Sequence, residues 1–455
     1  INSADDDIDG DGALNGVETF RYDATNAGTA LAPGESVRLE FDTDGTPFEN
    51  GLTGALVRPN ELPADGNPEE VNLNNADVSG GTLNIAVTAG DHFSNGNSQQ
   101  NAFVSAYSSE NGLSVETRFV IPDYNPGEEG DQAPGNFQAS GVVIGVDQNN
   151  LVKAVYGRAG AEIELAQDNV SNGGGGAGTT AVTTPEGAEE VAIRLEVFTD
   201  PATGNATAKA YYTFFDSSGV VIGDPEQEVG PIVLVDNSTA SFTNTLKTLV
   251  ESGAPLGAGV IQTSTGGGSP STFDVSYQYL EVSAPDAILV SVADAPTVVE
   301  DGDTGDTMLA FPLSLSEATA ATLDLVVEYS INGGETQTIN LDGVVFDAAG
   351  LSDAMIPVPT DDVNDGPESV SVELISVASP AFAIDGDNST AIGSVSEDDP
   401  LPAGDVLFRV NVGGPAVTSV DDGPDWTADQ QSFPAAGNSE YLADNSTGGR
   451  LFSTN

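Results

Sequence analysis

Short stretches in which every second residue is apolar dominate this chain and restrict what it can fold into. Leu113-Ser114-Val115-Glu116-Thr117-Arg118-Phe119-Val120 and Val191-Ala192-Ile193-Arg194-Leu195-Glu196-Val197-Phe198 are the clearest. A period of two sends alternate side chains to opposite faces of a strand, and the 3.6-residue period of an amphipathic helix is scarce. Such runs, punctuated by Gly, Asn, Asp and Pro, predict an all-β fold of tandem antiparallel β-sandwiches, each sheet burying one face.

Charge narrows the partners. The 455 residues hold 71 Asp+Glu against 11 Lys+Arg, a formal net charge of −60. Nucleic acid is excluded as a direct partner because phosphate binding needs a basic patch, and an anionic lipid surface repels the chain for the same reason. Disorder does not follow from the charge. Hydrophobic residues are 38%, and replacing the 10 Tyr by the 53 Gly in that count gives about 48%, the ordinary globular share. No apolar run reaches the roughly 18 residues that cross a bilayer, so no direct membrane insertion is expected. With no cysteine, disulfides and thiolate chemistry are absent. The chain opens on Ile1 without a methionine or leader, which reads as a processed product or an excerpt.

Breaks in composition suggest four segments. Residues 1–67 form an Asp-rich turn and a loose Pro- and Gly-rich linker region with one strand, Ser36 to Phe41. Residues 68–284 are a long strand series interrupted by a loop at Asn172 to Thr180. A second strand series fills 285–400. Residues 401–455 hold one strong strand, Val406 to Val412, and a polar tail.

The sharpest local motif is at the start. Asp7, Asp9, Asp11, Gly12, Asn15 and Glu18 fall at positions 1, 3, 5, 6, 9 and 12 of a calcium loop, in which alternate carboxylates converge on one ion. Gly12 allows the sharp turn, the Ala13 carbonyl adds a ligand, and Glu18 closes the shell in bidentate fashion. The segment resembles the Asp-rich calcium repeats of bacterial surface proteins and dockerin-type modules, although only Gly16 to Tyr22 offers a flanking helix.

Residues 287–399 are similar to the Calx-beta domain, a calcium-associated β-sandwich. Val298-Val299-Glu300, the strand Leu323 to Tyr329, Ile356-Pro357-Val358-Pro359-Thr360-Asp361-Asp362, Gly366 to Leu374 and the closing Gly393 to Asp399 carry the likeness. The resemblance implies calcium ligation by Glu300, Asp361, Asp362, Glu368, Asp398 and Asp399. It departs from the family where Glu397 opens a run that usually holds three aspartates. The residues add support of their own: from Thr248 to Phe408 there is no Lys, Arg or His, so carboxylates gathered there find no cation within the segment.

Residues 68–284 look like a concanavalin-like jelly roll of the laminin-G type, on the stretches Asn111 to Phe119, Ala139 to Tyr156 and Phe273 to Val282. Such domains bind glycans, which makes Tyr107, Tyr124, Tyr156, Tyr211 and Tyr212 candidates for stacking on sugar rings; aromatic residues at strand positions also build cores. The tail resembles the opening of a malectin-type carbohydrate-binding domain, in Leu407 to Pro415, Asp425-Trp426-Thr427-Ala428-Asp429 and Tyr441-Leu442. Trp426 is its candidate sugar platform or packing residue. The family domain is several times longer, so the parent chain is expected to continue.

Enzyme signatures fail. The single histidine, His92, has no serine motif to serve, and Gly173-x-Gly175-x-x-Gly178 lies in a poly-Gly loop with no helix after it. Sequons begin at Asn169, Asn205, Asn237, Asn388 and Asn445. Together the resemblances imply a non-catalytic, calcium-stabilised (Ca2+) adhesion or matrix protein of the cell surface or extracellular space. Its partners would be glycans or polysaccharide, and copies of itself or other surface proteins. A subunit of an extracellular filament or surface layer, and the accessory region of a secreted polysaccharide-degrading enzyme, are the alternatives.

Overall fold

Alternation in the sequence becomes register in the structure. The computed structural model describes residues 28–57, 71–88, 90, 100–110, 112–124, 138–157, 161–167, 177–238, 243–264, 272–299, 305–360, 367–379, 381–396, 409–411, 418 and 426–428. The first strands are β1 (Thr29–Ala30), β2 (Ser36–Leu39), β3 (Gly54–Ala55), β4 (Ala76–Ser79), β5 (Thr82–Val87) and β6 (Phe103–Ser108). Next come β7 (Leu113–Val120), β8 (Ala139–Asp147), β9 (Asn150–Gly157), β10 (Glu162–Gln167), β11 (Ala177–Ala181) and β12 (Glu190–Thr199). They are followed by β13 (Ala206–Phe215), β14 (Val221–Val233), a small ladder of β15 (Asn237–Ser238) and β16 (Thr243–Asn244), and the helix α1 (Leu246–Glu251). The series closes with β17 (Leu256–Thr263) and β18 (Phe273–Ser283).

Two eight-stranded sheets result. One runs β1-β6-β17-β8-β9-β10-β11 with β3 also on β6; the other runs β14-β13-β12-β7-β18-β5-β4 with β2 also on β18. Local chemistry sets the turns. Gly80 and Gly81, at φ 63° and 83°, link β4 to β5 in the two-residue hairpin that needs two left-handed residues. The sheets share one core, seen where Tyr156 of β9 meets Phe214 of β13 at 5.9 Å between ring centres. Tyr277 of β18 likewise donates to the Ile261 carbonyl of β17 at 3.1 Å.

The two sheets differ in how they meet solvent. On β5, β7 and β12 apolar residues alternate, so Val191, Ile193, Leu195 and Val197 are buried and the residues between them face outward. On β8, β9 and β17 nearly every residue is buried. Val142, Ile144 and Val152 enter the shared core, while Val143, Leu151, Val155 and Ile261 pack with Leu56 and Ala102 in a second apolar cluster. Continuous runs such as Val142-Val143-Ile144 belong to a sheet covered on both faces, and alternating runs to one with a wet face. The wet face of the second sheet is therefore where this sandwich can display chemistry.

The expected linker at 21–67 is corrected over its described part. Residues 28–57 contribute β1, β2 and β3 to the two sheets, and Leu31, Phe41, Phe48, Leu52 and Ala55 to the shared core. The strand expected through Phe41 ends at Leu39; Phe41 adopts φ 53° and buries its ring. Gln148 fastens the segment by donating to the Leu56 carbonyl at 3.0 Å.

The following strands are β19 (Ile288–Val292), β20 (Val298–Val299), β21 (Gly305–Leu315), β22 (Ala321–Ile331) and β23 (Gln337–Phe346). After them come β24 (Leu351–Thr360), β25 (Glu368–Val377), β26 (Phe382–Ile384) and β27 (Thr390–Ser396). They form a four-stranded sheet, β24-β21-β19-β26, and a five-stranded one, β20-β27-β25-β22-β23. Every long strand alternates, as in buried Leu323, Leu325 and Val327 of β22. Asn332 and Gly333, at φ 50° and 67°, close a turn in which Gly334 N donates to the Ile331 carbonyl. Finally β28 (Arg409–Asn411) pairs in parallel with β29 (Trp426–Ala428).

By internal contacts the chain divides into two units. One comprises Ile1–Ala295, Ala310–Ala354 and Ser371–Ile392, the other Pro296–Leu309, Met355–Val370 and Gly393–Asn455. No helix among the described residues is long and apolar enough to cross a membrane.

Candidate functional site

The open face of the second sheet carries a lattice of charged and aromatic side chains fixed by strand register. One row crosses six strands: Arg38 lies opposite Glu281, Glu281 opposite Glu116, Glu116 opposite Arg194, Arg194 opposite Tyr211, and Tyr211 opposite Glu228. The next row holds Tyr279, Arg118, Ala192 and Thr213. Four of the chain's 11 basic residues, Arg38, Arg118, Arg194 and Lys209, stand on this face.

Each cation is held twice, by a carboxylate and by a ring. Arg38 reaches Glu281 at 2.9 Å and Glu40 at 2.7 Å while its guanidinium lies 3.6 Å from the Tyr279 ring centre. Arg118 pairs with Glu190, Nε to Oε2 at 2.6 Å, and lies 3.8 Å over Phe215. Arg194 lies 4.4 Å over Tyr211 and 3.2 Å from Glu226; its Nε is also 3.2 Å from Glu196, off the angle of a hydrogen bond. Lys209 pairs with Glu228 at 3.7 Å and faces Phe198 at 5.9 Å. Glu116 and Glu281, like charges directly opposite, would be destabilising alone. Arg38 neutralises Glu281, and the Tyr279 hydroxyl donates to Glu116.

Exposed pairs of this kind stabilise a fold by only about 0–1 kcal/mol each, and exposed cation–π contacts add about 0.5–1 kcal/mol. Their main effect is order: side chains that would otherwise rotate freely are held in place, which lowers the entropy a ligand must overcome. The environment also shifts acidities. Burial, then Glu196 and Glu228, push the Tyr211 hydroxyl up to about 12. Burial, then Glu116, raise that of Tyr279. Burial holds the Glu196 carboxyl above its usual range against the pull of Arg194 and Lys209. Raised in this way, the Tyr211 and Tyr279 hydroxyls stay protonated at neutral pH and are able to donate.

A cleft of about 560 Å³ opens in the lattice. Ala192 lines it, its methyl standing in the row between Arg118 and Thr213. Arg38, Glu40, Glu116, Gln278 and Tyr279 line one side, and Phe215, Val221, Pro225 and Glu226 the other. The second wall comes from β14, whose pairing with β13 shifts register between Tyr212 and Phe214. Glu226 sits there at φ 48°, a conformation costing a non-glycine residue about 1–3 kcal/mol. Its amide is held by Thr213 Oγ1 at 2.9 Å and its carboxylate by Arg194.

Four of the five candidate tyrosines are corrected to core residues. Tyr107, Tyr124, Tyr156 and Tyr212 are at most 5% exposed, so no ring face is left for a sugar. Tyr124 packs 4.9 Å from Phe273 and donates to the Tyr156 carbonyl; Tyr156 bonds Thr184, and Tyr212 donates to Gln227. Tyr211 alone belongs to the open face. Trp426 opens β29, and only its backbone is described.

Of the calcium candidates, Asp7, Asp9, Asp11, Ala13, Asn15, Glu18, Glu300, Asp361, Asp362, Asp398 and Asp399 lie outside the described residues, as does His92. Glu368 begins β25 and is half-buried. Among the described residues no group of three or more His, Cys, Asp or Glu side chains is arranged to hold a metal ion.

Sequence reading missed Arg38, Glu116, Arg118, Phe215 and Tyr279. A signal was present: Glu116/Arg118 and Arg194/Glu196 are opposite charges two apart on a strand, hence on one face, and Arg38/Glu40 repeats the spacing at the end of β2.

No family model and no curated protein matches the chain. Among solved structures, the crystal structure of red sea bream transglutaminase is similar over 66% of this chain and 29% of that chain, at 11% identity and a TM-score of 0.15. A likeness at that score carries no argument about fold or activity.

Proposed function

We propose that the chain is a non-catalytic, calcium-stabilised adhesion or matrix protein of the cell surface or extracellular space, whose β-sandwich modules bind glycans. The observation that carries this reading is the ordered cleft on the open sheet face, where donors (Arg38, Arg118, Gln278), acceptors (Glu40, Glu116, Glu226) and apolar side chains (Val221, Pro225) converge. A sugar offers hydroxyls that donate and accept together with an apolar C–H face, and such a surface matches both. A glycan-array screen of the full chain tests it: binding to saccharides is expected, and an array silent across neutral and charged glycans removes the reading.

Calcium enters through the resemblances of residues 7–18 and 287–399. Support comes from composition: from Thr248 to Phe408 there is no Lys, Arg or His, so carboxylates gathered there find no cation within the segment. An ion bound only by the folded state stabilises it by about 2.7 kcal/mol per site at a hundred times its dissociation constant. Chelation is expected to lower the melting temperature; a melt identical with and without calcium removes the ion from the proposal.

One observation favours the filament or surface-layer reading as a second. Leu289, Val299, Met308, Val345, Leu351, Met355, Ile375 and Ile392 are eight of the twelve large apolar residues left exposed among the described residues, all from the strands after Ala284. Such residues suit contacts with further copies of the chain. Sedimentation in calcium is expected to show association on this reading, and a monodisperse monomer excludes it.

A further inference from the structure

Resting on the glycan reading, we infer that the cleft selects an uncharged oligosaccharide lying across the strands. The state of its charges decides the class. Every carboxylate that lines it is engaged: Glu40 by Arg38, Glu116 by the Tyr279 hydroxyl, and Glu226 by Arg194. Both lining cations are engaged too, Arg38 by Glu281 and Arg118 by Glu190. An anionic ligand finds no bare cation here, and displacing a carboxylate to reach one leaves that carboxylate facing the ligand in the field of a chain with net charge −60. A cationic ligand meets the converse obstacle, two guanidiniums stacked on the solvent side of the lattice.

What each ion pair leaves free is hydrogen-bonding capacity. A carboxylate has about four lone-pair sites and a guanidinium five N–H groups, so one contact between them exhausts neither. A hydroxyl group donates and accepts at once, and it can bridge a carboxylate and a guanidinium without parting them. A neutral polyol therefore adds bonds where an ion must first break them. The length of the site points the same way: the cleft is lined from β2 to β14, six strands and five gaps of about 4.8 Å, roughly 24 Å in all. That is room for several sugar rings, with Val221 and Pro225 offering an apolar edge.

Titration calorimetry on the full chain tests this with two neutral probes, β-glucan and xylan oligomers, and two anionic ones, alginate and carrageenan oligomers. We expect a neutral probe to bind, with a dissociation constant that changes less than about twofold between low salt and about 0.5 M NaCl, because no counterions are exchanged. Ala192→Trp fills the hollow from the solvent side at a strand position that accepts aromatics. It is expected to weaken binding at least about tenfold with the melting temperature unchanged. Binding of the anionic probes alone, lost in Ala192→Trp, overturns the selection but leaves the glycan site standing. Neutral binding that survives the substitution overturns the assignment to this cleft. Binding of none of the four overturns both the selection and the reading beneath it.

Discussion

A chain shortened to begin at residue 68 is expected to lose the cooperative melting of its first sandwich, while one begun at residue 24 keeps it. The segment between them looks dispensable by composition and is not. Phe41, Phe48 and Leu52 are at most 6% exposed in the core, and removing one buried phenylalanine from such a place costs about 3–5 kcal/mol. The loss extends to the backbone. Thr53 N donates to the Val104 carbonyl and Leu56 N to that of Ala102, and Ser105 donates to the Gly51 carbonyl at 2.6 Å. Without the segment, β6 and β18 lose the short strands beside them and the shared core opens along one side. Against a total stability of about 5–15 kcal/mol, that deficit exceeds what the remainder holds. Scanning calorimetry of the two truncated chains decides it: a transition of equal enthalpy in both overturns the assignment of residues 28–57 to the sandwich.

Alkaline pH is expected to unfold the same sandwich abruptly. Burial raises the hydroxyl pKa of Tyr124 and Tyr277, both fully enclosed, and also of Tyr107, Tyr156 and Tyr212. Tyr211 rises to about 12. A tyrosine whose folded value lies above its unfolded value of about 10 binds its proton more tightly when folded. The stability it confers is complete below pH 10 and drains away as the pH climbs toward the folded value. The melting temperature should therefore be level up to about pH 9.5 and fall steeply above about pH 10. Circular dichroism melts across that range read it directly. Tyr277→Phe keeps the ring against Phe119 and removes one ionising group, so its decline should be shallower than that of the parent chain. A melting temperature that stays level through about pH 11 overturns the account.

Legibility varied with the physical source of each feature. The strands β7 and β12 were readable because one-sided burial imposes a period of two; the sheet of β8, β9 and β17, buried on both faces, departs from the expectation that each sheet buries one face, because a continuous run such as Val142-Val143-Ile144 carries no period. Residues 28–57 were readable only at β2, where the strand expected from Ser36 is present as far as Leu39. Their strands β1 and β3 are two residues long, too short for any period, and Phe41 is buried through a left-handed backbone rather than through alternation. Tyr211 and Tyr212 show the limit most directly. They are adjacent and chemically identical, and neighbouring strand residues point to opposite faces. Only the pairing of Arg194 with Tyr211 and Ile193 with Tyr212 reveals which one meets solvent. The cleft itself is lined by residues that lie far apart in the sequence, Glu40, Arg118, Ala192, Phe215 and Gln278 among them, and only the strand pairing brings them together.

The unequal exposure of the two large sheets separates cohesion from display. Substitutions on β8, β9 or β17 strike packed side chains on either face, whereas outward positions of β7, β12, β13 and β18 touch solvent and one another. A surface built this way can be rewritten one rung at a time, exchanging an arginine with its paired glutamate, while the interior that holds the strands in register is left untouched. The module is thus suited to diversification: relatives or laboratory libraries that vary residues 116, 118, 192, 194, 211 and 279 should yield folded proteins with altered ligand preference.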